Sequence, residues 1–334
     1  MVQKDSSVGR FVIFQTSPSI KINALPKGRM NTMYDMIILG AGTAGLSAAI
    51  YGVRSGLSVL VIEKNIHGGQ ILNTPDVENY PGILKISGFE FVENLYNQVI
   101  SLGVKIVYET IKGLDLRPAV KTIVTSQKDY QAKTVIIANG AKHRHLNCPG
   151  EEKFAGKGVS YCATCDGAFF RNQDVCVIGG GNTALQDALY LANNCRKVYL
   201  VLRSNEFRAN KVNVTAVKSR SNIEIIYNHT VEEIVGDDAV NGITIRNNAM
   251  YHNQTLPVSG VFVAIGAEPQ NQMFANMIRL DPAGYIVAGE DCKTNLAGVF
   301  AAGDTRTKKV RQLVTAAADG AVAATEAAQY CATV

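Results

Sequence analysis

The hydrophobic pattern of the chain contains one supersecondary unit twice. Tyr34-Asp-Met-Ile-Ile-Leu39 reads as a continuous apolar run of the kind found in a parallel strand buried on both faces. Gly40-Ala-Gly-Thr-Ala-Gly45 follows, then apolar positions at helical period from Leu46 to Ser55, then a second apolar run from Leu57 to Ile62 that ends in Glu63. Strand, glycine turn, helix and strand within about 30 residues predict a βαβ unit. The pattern recurs downstream. Asp174-Val-Cys-Val-Ile178 predicts a strand, Gly179-Gly-Gly-Asn-Thr-Ala184 the turn, Leu185 to Asn193 a helix, and Lys197-Val-Tyr-Leu-Val-Leu202 the second strand.

Short strands and turns are expected between the two units, over residues 103–140, with Thr134-Val-Ile-Ile-Ala-Asn-Gly140 as a strand and loop. Gly260-Val-Phe-Val-Ala-Ile-Gly266 closes the second unit. Gly298-Val-Phe-Ala-Ala-Gly-Asp304 is again a strand running into Gly-Asp, and an Ala-rich helix from about Gln312 to Tyr330 completes the chain. Neither a low-complexity linker nor a solenoid-type repeat interrupts this order. The predicted fold is α/β, with two Rossmann-like dinucleotide-binding domains.

Composition narrows the function class. A chain of 334 residues with 47% apolar and 18% charged residues fits a cytosolic globular enzyme of about two domains. No apolar run approaches the ~20 residues of a membrane helix. The net charge of +5 resides mostly in residues 1–30, where Lys4, Arg10, Lys21, Lys27 and Arg29 face only Asp5. No basic stripe with interleaved aromatics remains, so nucleic acid is set aside as a partner. Residues 1–32 read as a dispensable N-terminal extension, a disordered tail or the result of an upstream start; a transit peptide is the alternative. Seven cysteines, an odd count, argue against a secreted disulfide framework. Cys176, inside an apolar strand, reads as a small buried hydrophobe.

Two segments carry candidate chemistry. In the first turn, Gly40 permits the tight turn, Gly42 lets the backbone approach a pyrophosphate, and Gly45 lets helix and strand pack closely. The helix N-terminus then presents its positive dipole end to phosphate. Glu63 lies eighteen positions after Gly45, where an acid binds an adenosine ribose. The second segment is Cys162-Ala-Thr-Cys165, followed at once by Asp166. Alone, a C-x-x-C serves redox or metal chemistry equally well, although no partner ligand pair for zinc is visible. A carboxylate beside a dithiol can shuttle the proton that thiolate chemistry needs; without the cysteines, Asp166 would read as a turn residue or helix cap.

The string Gly158-Val-Ser-Tyr-Cys-Ala-Thr-Cys-Asp-Gly167 resembles the low-molecular-weight thioredoxin reductases. So does the order of Gly68-Gly-Gln70, Glu78-Asn-Tyr-Pro-Gly82, Gly179-Gly-Gly-Asn-Thr-Ala184, and Phe300-Ala-Ala-Gly-Asp304 with Arg311-Gln312. The likeness spans residues 33–331. It implies a nicotinamide domain, residues 146–267 with the C-x-x-C, inserted into an FAD domain made of 33–145 and 268–334. Gly40, Gly42, Gly45, Glu63, Gly69, Gln70 and Asn79 are then expected to hold FAD from the first half. Asp304 is expected at the ribityl chain, with Arg311 and Gln312 beside the isoalloxazine. Gly179, Gly181, Asn182, Thr183, Arg203 and Arg208 are the expected nicotinamide-nucleotide residues. Cys165 would face the flavin, Cys162 would attack the protein disulfide, and Asp166 would act as acid/base. The resemblance further implies a homodimer, thioredoxin as partner, no resident metal, and rotation of one domain against the other about residues 143–147 and 266–269.

The chain departs from the family pattern mainly around the electron donor. Members that use NADPH usually carry His-Arg-Arg and a further Arg where this chain has Leu202-Arg-Ser-Asn-Glu-Phe-Arg208, so Arg203 and Arg208 match while Leu202 and Ser204 do not. Gln186-Asp187 replaces an acidic pair, Asn139 a threonine and Leu313 an alanine. NADPH is the expected donor, with a smaller preference over NADH than the full arginine pair would give. The alternatives are a relative driven by NADH or ferredoxin, and a small-molecule dithiol oxidase.

Overall fold

A computed structural model describes residues 33–74 and 76–334. The N-terminal extension, residues 1–32, lies outside the described residues, and the expectation that it is dispensable with it.

The two predicted units organise two separate sheets. The first holds β1 (Met33–Leu39), β2 (Val59–Glu63), β3 (Lys105–Tyr108), β4 (Ile111–Asp115), β5 (Lys121–Thr125) and β6 (Asp129–Ile137), in the order β3-β2-β1-β6-β5-β4. A late strand, β17 (Val299–Ala301), returns from the far end of the chain and pairs in parallel with Val135–Ile137 of β6. β1 lies parallel between β2 and β6, and its Met36 to Leu39 are buried from both faces, as the continuous apolar run requires. The second sheet runs β11 (Ile223–Ile226), β10 (Lys197–Val201), β9 (Asp174–Ile178), β15 (Gly260–Val263) and β8 (Val159–Ser160), all parallel. A three-stranded antiparallel sheet of β12 (His229–Gly236), β13 (Val240–Asn247) and β14 (Asn253–Leu256) supplies part of the core beneath it.

The chain passes between the sheets twice, and the two passages pair with each other. β7 (Ala141–His143) and β16 (Ala267–Pro269) form an antiparallel ribbon in which Ala267 faces His143 and Pro269 faces Ala141. Residues 144–266 are thus bracketed by one ribbon, and both strands of the first sheet's continuation, β6 and β17, lie outside that bracket.

Among the described residues there are six α-helices: α1 (Thr43–Arg54), α2 (Gly88–Ser101), α3 (Ala163–Asp166), α4 (Asn182–Leu191), α5 (Lys211–Lys218) and α6 (Leu313–Cys331). α1 packs against α6 in the core on one face of the first sheet, which includes Leu46, Ala48, Ala323 and Ala327. Small residues permit the close approach: a Cβ on Gly320 would lie 2.2 Å from the carbonyl oxygen of Ala44. Both glycine-turn helices begin three residues earlier than hydrophobic period indicates, at Thr43 rather than Leu46 and at Asn182 rather than Leu185. The turn itself is the cap, since Gly42 and Gly181 occupy the N-cap positions, and apolar periodicity starts only once side chains reach the sheet. The second strand is Val59–Glu63 rather than Leu57–Ile62. Among the described residues no helix is long and apolar enough to cross a membrane.

Candidate active site

Each glycine turn follows the C-terminal end of a central parallel strand, the usual place for ligands in open α/β sheets. In the first turn Gly40 has φ +111°, and a Cβ there would lie 2.5 Å from the carbonyl oxygen of Ala138. A Cβ on Gly45 would sit 1.9 Å from the oxygen of Gly40. These two glycines are required by packing within the protein. Gly42 and Gly69 differ: their missing side chains leave space, with nothing nearer than 3.9 Å and 3.6 Å to a Cβ. No side chain caps the N-terminus of α1. An uncapped helix start beside two bare backbone segments fits a pyrophosphate. Glu63 closes the turn, its Oε2 accepting from the Ala41 amide at 2.9 Å and its Oε1 from the amides of Lys64 and Asn65 at 2.8 and 3.0 Å.

The remaining residues expected at the flavin converge from distant parts of the chain. Gln70 donates to the carbonyl of Ala141, at the start of the ribbon. Asn79 donates to Gln312 Oε1 at 3.1 Å. Asp304 follows Gly303, and its Oδ1 is buried without a partner. Burial raises the Asp304 carboxyl above its ordinary range, against the opposing charges of Lys308 and Arg311. Arg311 lies over the Tyr285 ring at 4.1 Å, with its Nε also buried and unpaired. An unpaired acceptor and an unpaired donor, both buried on the segment between β17 and α6, are groups that a polar cofactor such as FAD would satisfy.

Asp319 was not legible in the sequence as a member of this site. This carboxylate, 6% exposed on α6, accepts from Arg306 Nε and Nη2 at 2.8 and 2.7 Å, from Lys308 Nζ at 2.8 Å and from the Gly303 amide at 2.9 Å. Burial alone would raise its pKa, but the bonds from Arg306 and Lys308 hold it below the usual carboxylate range. The network pins the loop that carries Asp304. An acid followed by glycine among the alanines of this helix was the available sequence signal.

The two cysteines form a disulfide, S–S 2.09 Å. Cys162 ends the segment after β8 and Cys165 lies in the short α3. Asp166 is not a solvated turn residue. Its Oδ2 accepts from Ser160 Oγ at 2.5 Å, its Oδ1 is buried without a partner, and burial raises its pKa while the serine opposes the shift. Ser160 Oγ also accepts from the Cys162 amide at 3.0 Å, so one hydroxyl links carboxyl and dithiol segment. The disulfide lies against the start of α6. Gln312 Nε2 stands 3.8 Å from Cys162 Sγ, and Gln312 Oε1 stands 4.0 Å from Cys165 Sγ. The other five cysteines are unpaired. Among the described residues no cluster of His, Cys, Asp or Glu has the makings of a metal site.

The second turn repeats the first with changes. Gly179 has φ +146°, and a Cβ there would lie 2.4 Å from the oxygen of Ala264 and 2.9 Å from Ala184 Cβ. Gly181 caps α4 without a side-chain bond and has open space before it. Asn182 accepts from the Asn210 amide at 2.9 Å, while Thr183 is exposed. Leu202 is buried, packing on Gly180. Arg203 and Arg208 are exposed, and among the described residues neither has an ion-pair partner. The Arg208 amide donates to the oxygen of Gly180 at 2.8 Å, which fixes this arginine beside the turn.

Residues 34–320 match the family model of the pyridine nucleotide-disulphide oxidoreductases. The chain is 42% identical over 308 residues to the thioredoxin reductase of Peptoclostridium acidaminophilum, covering 90% of this chain and 98% of that one. The crystal structure of thioredoxin reductase from Streptococcus pyogenes superposes with a TM-score of 0.87 at 40% identity, covering 91% of this chain and all of that one. The Lactococcus lactis thioredoxin reductase in its FR conformation covers 90% of this chain and all of the other at 37% identity, yet superposes with a TM-score of only 0.62.

Proposed function

Because the chain belongs to the pyridine nucleotide-disulphide oxidoreductases and, within them, to the thioredoxin reductases, we propose that this FAD-dependent enzyme uses NADPH to reduce the disulfide of thioredoxin through Cys162 and Cys165. The observation that carries this reading is the Cys162–Cys165 disulfide set between Asp166 and the N-terminus of α6. We assign the FAD domain to residues 33–145 and 268–334 and the nicotinamide domain to 146–267. The pairing of β7 with β16 at both crossings supports that division.

FAD, when bound, supplies the two-electron relay between the nicotinamide and the disulfide. Gly40, Gly42, Gly45, Glu63, Gly69, Gln70 and Asn79 would hold it from the first half of its domain, and Asp304, Arg311 and Gln312 from the second. Gly179, Gly181, Asn182, Thr183, Arg203 and Arg208 would hold NADPH. In the thiol steps Cys162 attacks a sulfur of thioredoxin's disulfide, forming a mixed disulfide and releasing one thioredoxin thiolate. Cys165 then attacks Cys162 Sγ, which releases reduced thioredoxin and restores the internal disulfide. Asp166, uncharged over a wider pH range because of its burial, holds the proton that these exchanges move.

Cys162 must reach a protein substrate, whereas here it rests on Gln312. Rotation about the β7–β16 ribbon would free it. Support comes from the two solved relatives, whose TM-scores of 0.87 and 0.62 at nearly equal identity are the signature of a rearranged pair of similar domains. Gly140 and Gly266 flank the ribbon with φ +66° and +103°, and neither would meet another atom within 4 Å if it carried a Cβ. A homodimer is supported by exposed apolar side chains on the FAD-domain helices, Tyr51 of α1, Phe89 of α2 and Val322 of α6. Five unpaired thiols support a reducing, cytoplasmic setting.

The test is substitution of each cysteine in turn. Cys162→Ser and Cys165→Ser should each abolish thioredoxin reduction while retaining flavin. Cys165→Ser alone should trap a mixed disulfide with thioredoxin, detected by non-reducing electrophoresis. Trapping only in Cys162→Ser would reverse the assignment of the two sulfurs.

A further inference from the structure

Gln312 was expected beside the isoalloxazine, but its amide lies across the disulfide. Its orientation is fixed by its own contacts. Oε1 accepts from Asn79 Nδ2 at 3.1 Å, and the Gln312 backbone N–H donates to Thr315 Oγ1 at 3.1 Å at the start of α6. The carbonyl end is anchored by the Asn79 amide, and the NH2 end points the other way. It reaches Thr164 Oγ1 at 3.1 Å and Cys162 Sγ at 3.8 Å. The two sulfurs thus meet opposite ends of one amide: a donor near Cys162, and an acceptor 4.0 Å from Cys165. The positive end of a 19-residue helix adds to the donor.

We infer that Gln312 is a catalytic residue of the dithiol, assigning the negative charge to Cys162 and the proton to Cys165 when the disulfide opens. The inference rests on the reading of this pair as redox-active. Opening the S–S bond takes two electrons and one proton, the electrons coming from the reduced flavin or from an external thiol. The products are one thiolate and one thiol. A thiolate on Cys162 accepts the Nε2–H, and a thiol on Cys165 donates to Oε1. The reverse placement would set the thiolate against a carbonyl oxygen and leave the amide hydrogen with a weak acceptor. Asp166, next to Cys165 in sequence, accepts from Ser160 and makes no hydrogen bond to either sulfur. Cys162 is thereby formed as the nucleophile that the next exchange requires.

The experiment equilibrates the flavin-loaded protein with glutathione redox buffers and measures the fraction of Cys162–Cys165 disulfide by mass spectrometry after acid quench and alkylation. Flavin content is measured on the same samples. Gln312→Met removes both polar ends at similar volume. Gln312→Ser keeps a cap for the helix but cannot reach the cysteines. Both should shift the equilibrium toward the disulfide by about tenfold, the scale of one lost hydrogen bond to a charged group, and the flavin content of each sample separates this shift from any loss of cofactor. Wild-type behaviour in Gln312→Ser would reduce Gln312 to a helix cap and overturn the inference. So would unshifted equilibria in both variants. A wild-type pair that never exchanges with glutathione would instead overturn the redox reading on which this one stands.

Discussion

The two glycine turns share a backbone and differ in what closes them. In the first, Glu63 reaches back from the end of β2 to the turn and accepts the Ala41 amide. In the second, the matching position is Leu202, which packs its side chain onto Gly180, and the loop after it closes the turn with backbone alone, Arg208 N–H to Gly180 O. The first turn therefore has a built acceptor for a ribose hydroxyl. The second has none, but displays two exposed guanidinium groups. A polar acceptor recognises a hydroxyl and an arginine recognises a phosphate, so equivalent folds are set for different dinucleotides.

The largest expected effect tests whether the first turn's glycines are needed for packing or for ligand. A Cβ at Gly45 would lie 1.9 Å from backbone oxygen, a distance no rotamer change relieves, so Gly45→Ala should give insoluble or flavin-free protein. Gly181→Ala places its Cβ in open space and should fold with native melting temperature and flavin, losing only nicotinamide affinity. Flavin absorbance per chain and thermal melts decide both. A yellow, stable Gly45→Ala would break the contrast.

Glu63→Gln sharpens it. The carboxylate accepts three backbone amides, and an amide side chain has one oxygen for them. Flavin affinity should fall about ten- to hundredfold, the scale of one or two lost charge-assisted bonds. Fluorescence titration of the apoprotein with FAD measures it; unchanged affinity would remove Glu63 from the cofactor site.

The second unit also holds an acid that the first lacks. Burial raises the Asp187 carboxyl of α4 to about 7. Between the ordinary carboxylate range near 4 and that value the folded state binds the extra proton, so this residue makes stability fall as pH rises through the window. Asp187→Asn should stabilise the protein at pH 8 by about 1 kcal/mol or more and leave it little changed at pH 4. Equal shifts at both pH values in urea melts would show that burial of the charge is not the cause.

How much of this was legible follows the range of the interactions. Strands β1, β2, β9, β10, β15 and the second half of β6, Thr134–Ile137, are buried on both faces over most of their length, so their sequences are nearly unbroken apolar runs. The glycine turns are local as well. α2 escaped notice although Ser87 and Glu90 begin it as a cap and its third residue, because only Phe91, Val92 and Val99 of its larger side chains are buried. β12 to β14 lack clean alternation, and a bulge in β12 between Val231 and Glu233 breaks their period. The contacts that complete the site have no local pattern: Gln312 meets Thr164 across 148 residues, and Asn139, in place of a family threonine, donates to Asn271 across 132.

The smallest expected effect bears on the donor. Ser204 stands between Arg203 and Arg208, and its hydroxyl is turned back to the carbonyl of Glu206 at 2.8 Å, so it offers no charge to a ligand. Glu206 is exposed in the same loop and lowers the positive potential there. Ser204→Arg should lower the KM for NADPH about tenfold, since a guanidinium adds one charge-assisted contact to a 2′-phosphate at an exposed site. The KM for NADH should stay within about twofold, because NADH has no group there to pair. Raising the salt concentration should shrink the gain, as screening acts on exposed pairs within a Debye length of about 10 Å at 0.1 M. Improvement for both donors alike would mean that the new side chain packs on the shared adenosine. A native preference for NADH would mean that Arg203 and Arg208, although placed beside the turn, do not read the phosphate, and the contrast between the two turns would lose its chemical meaning.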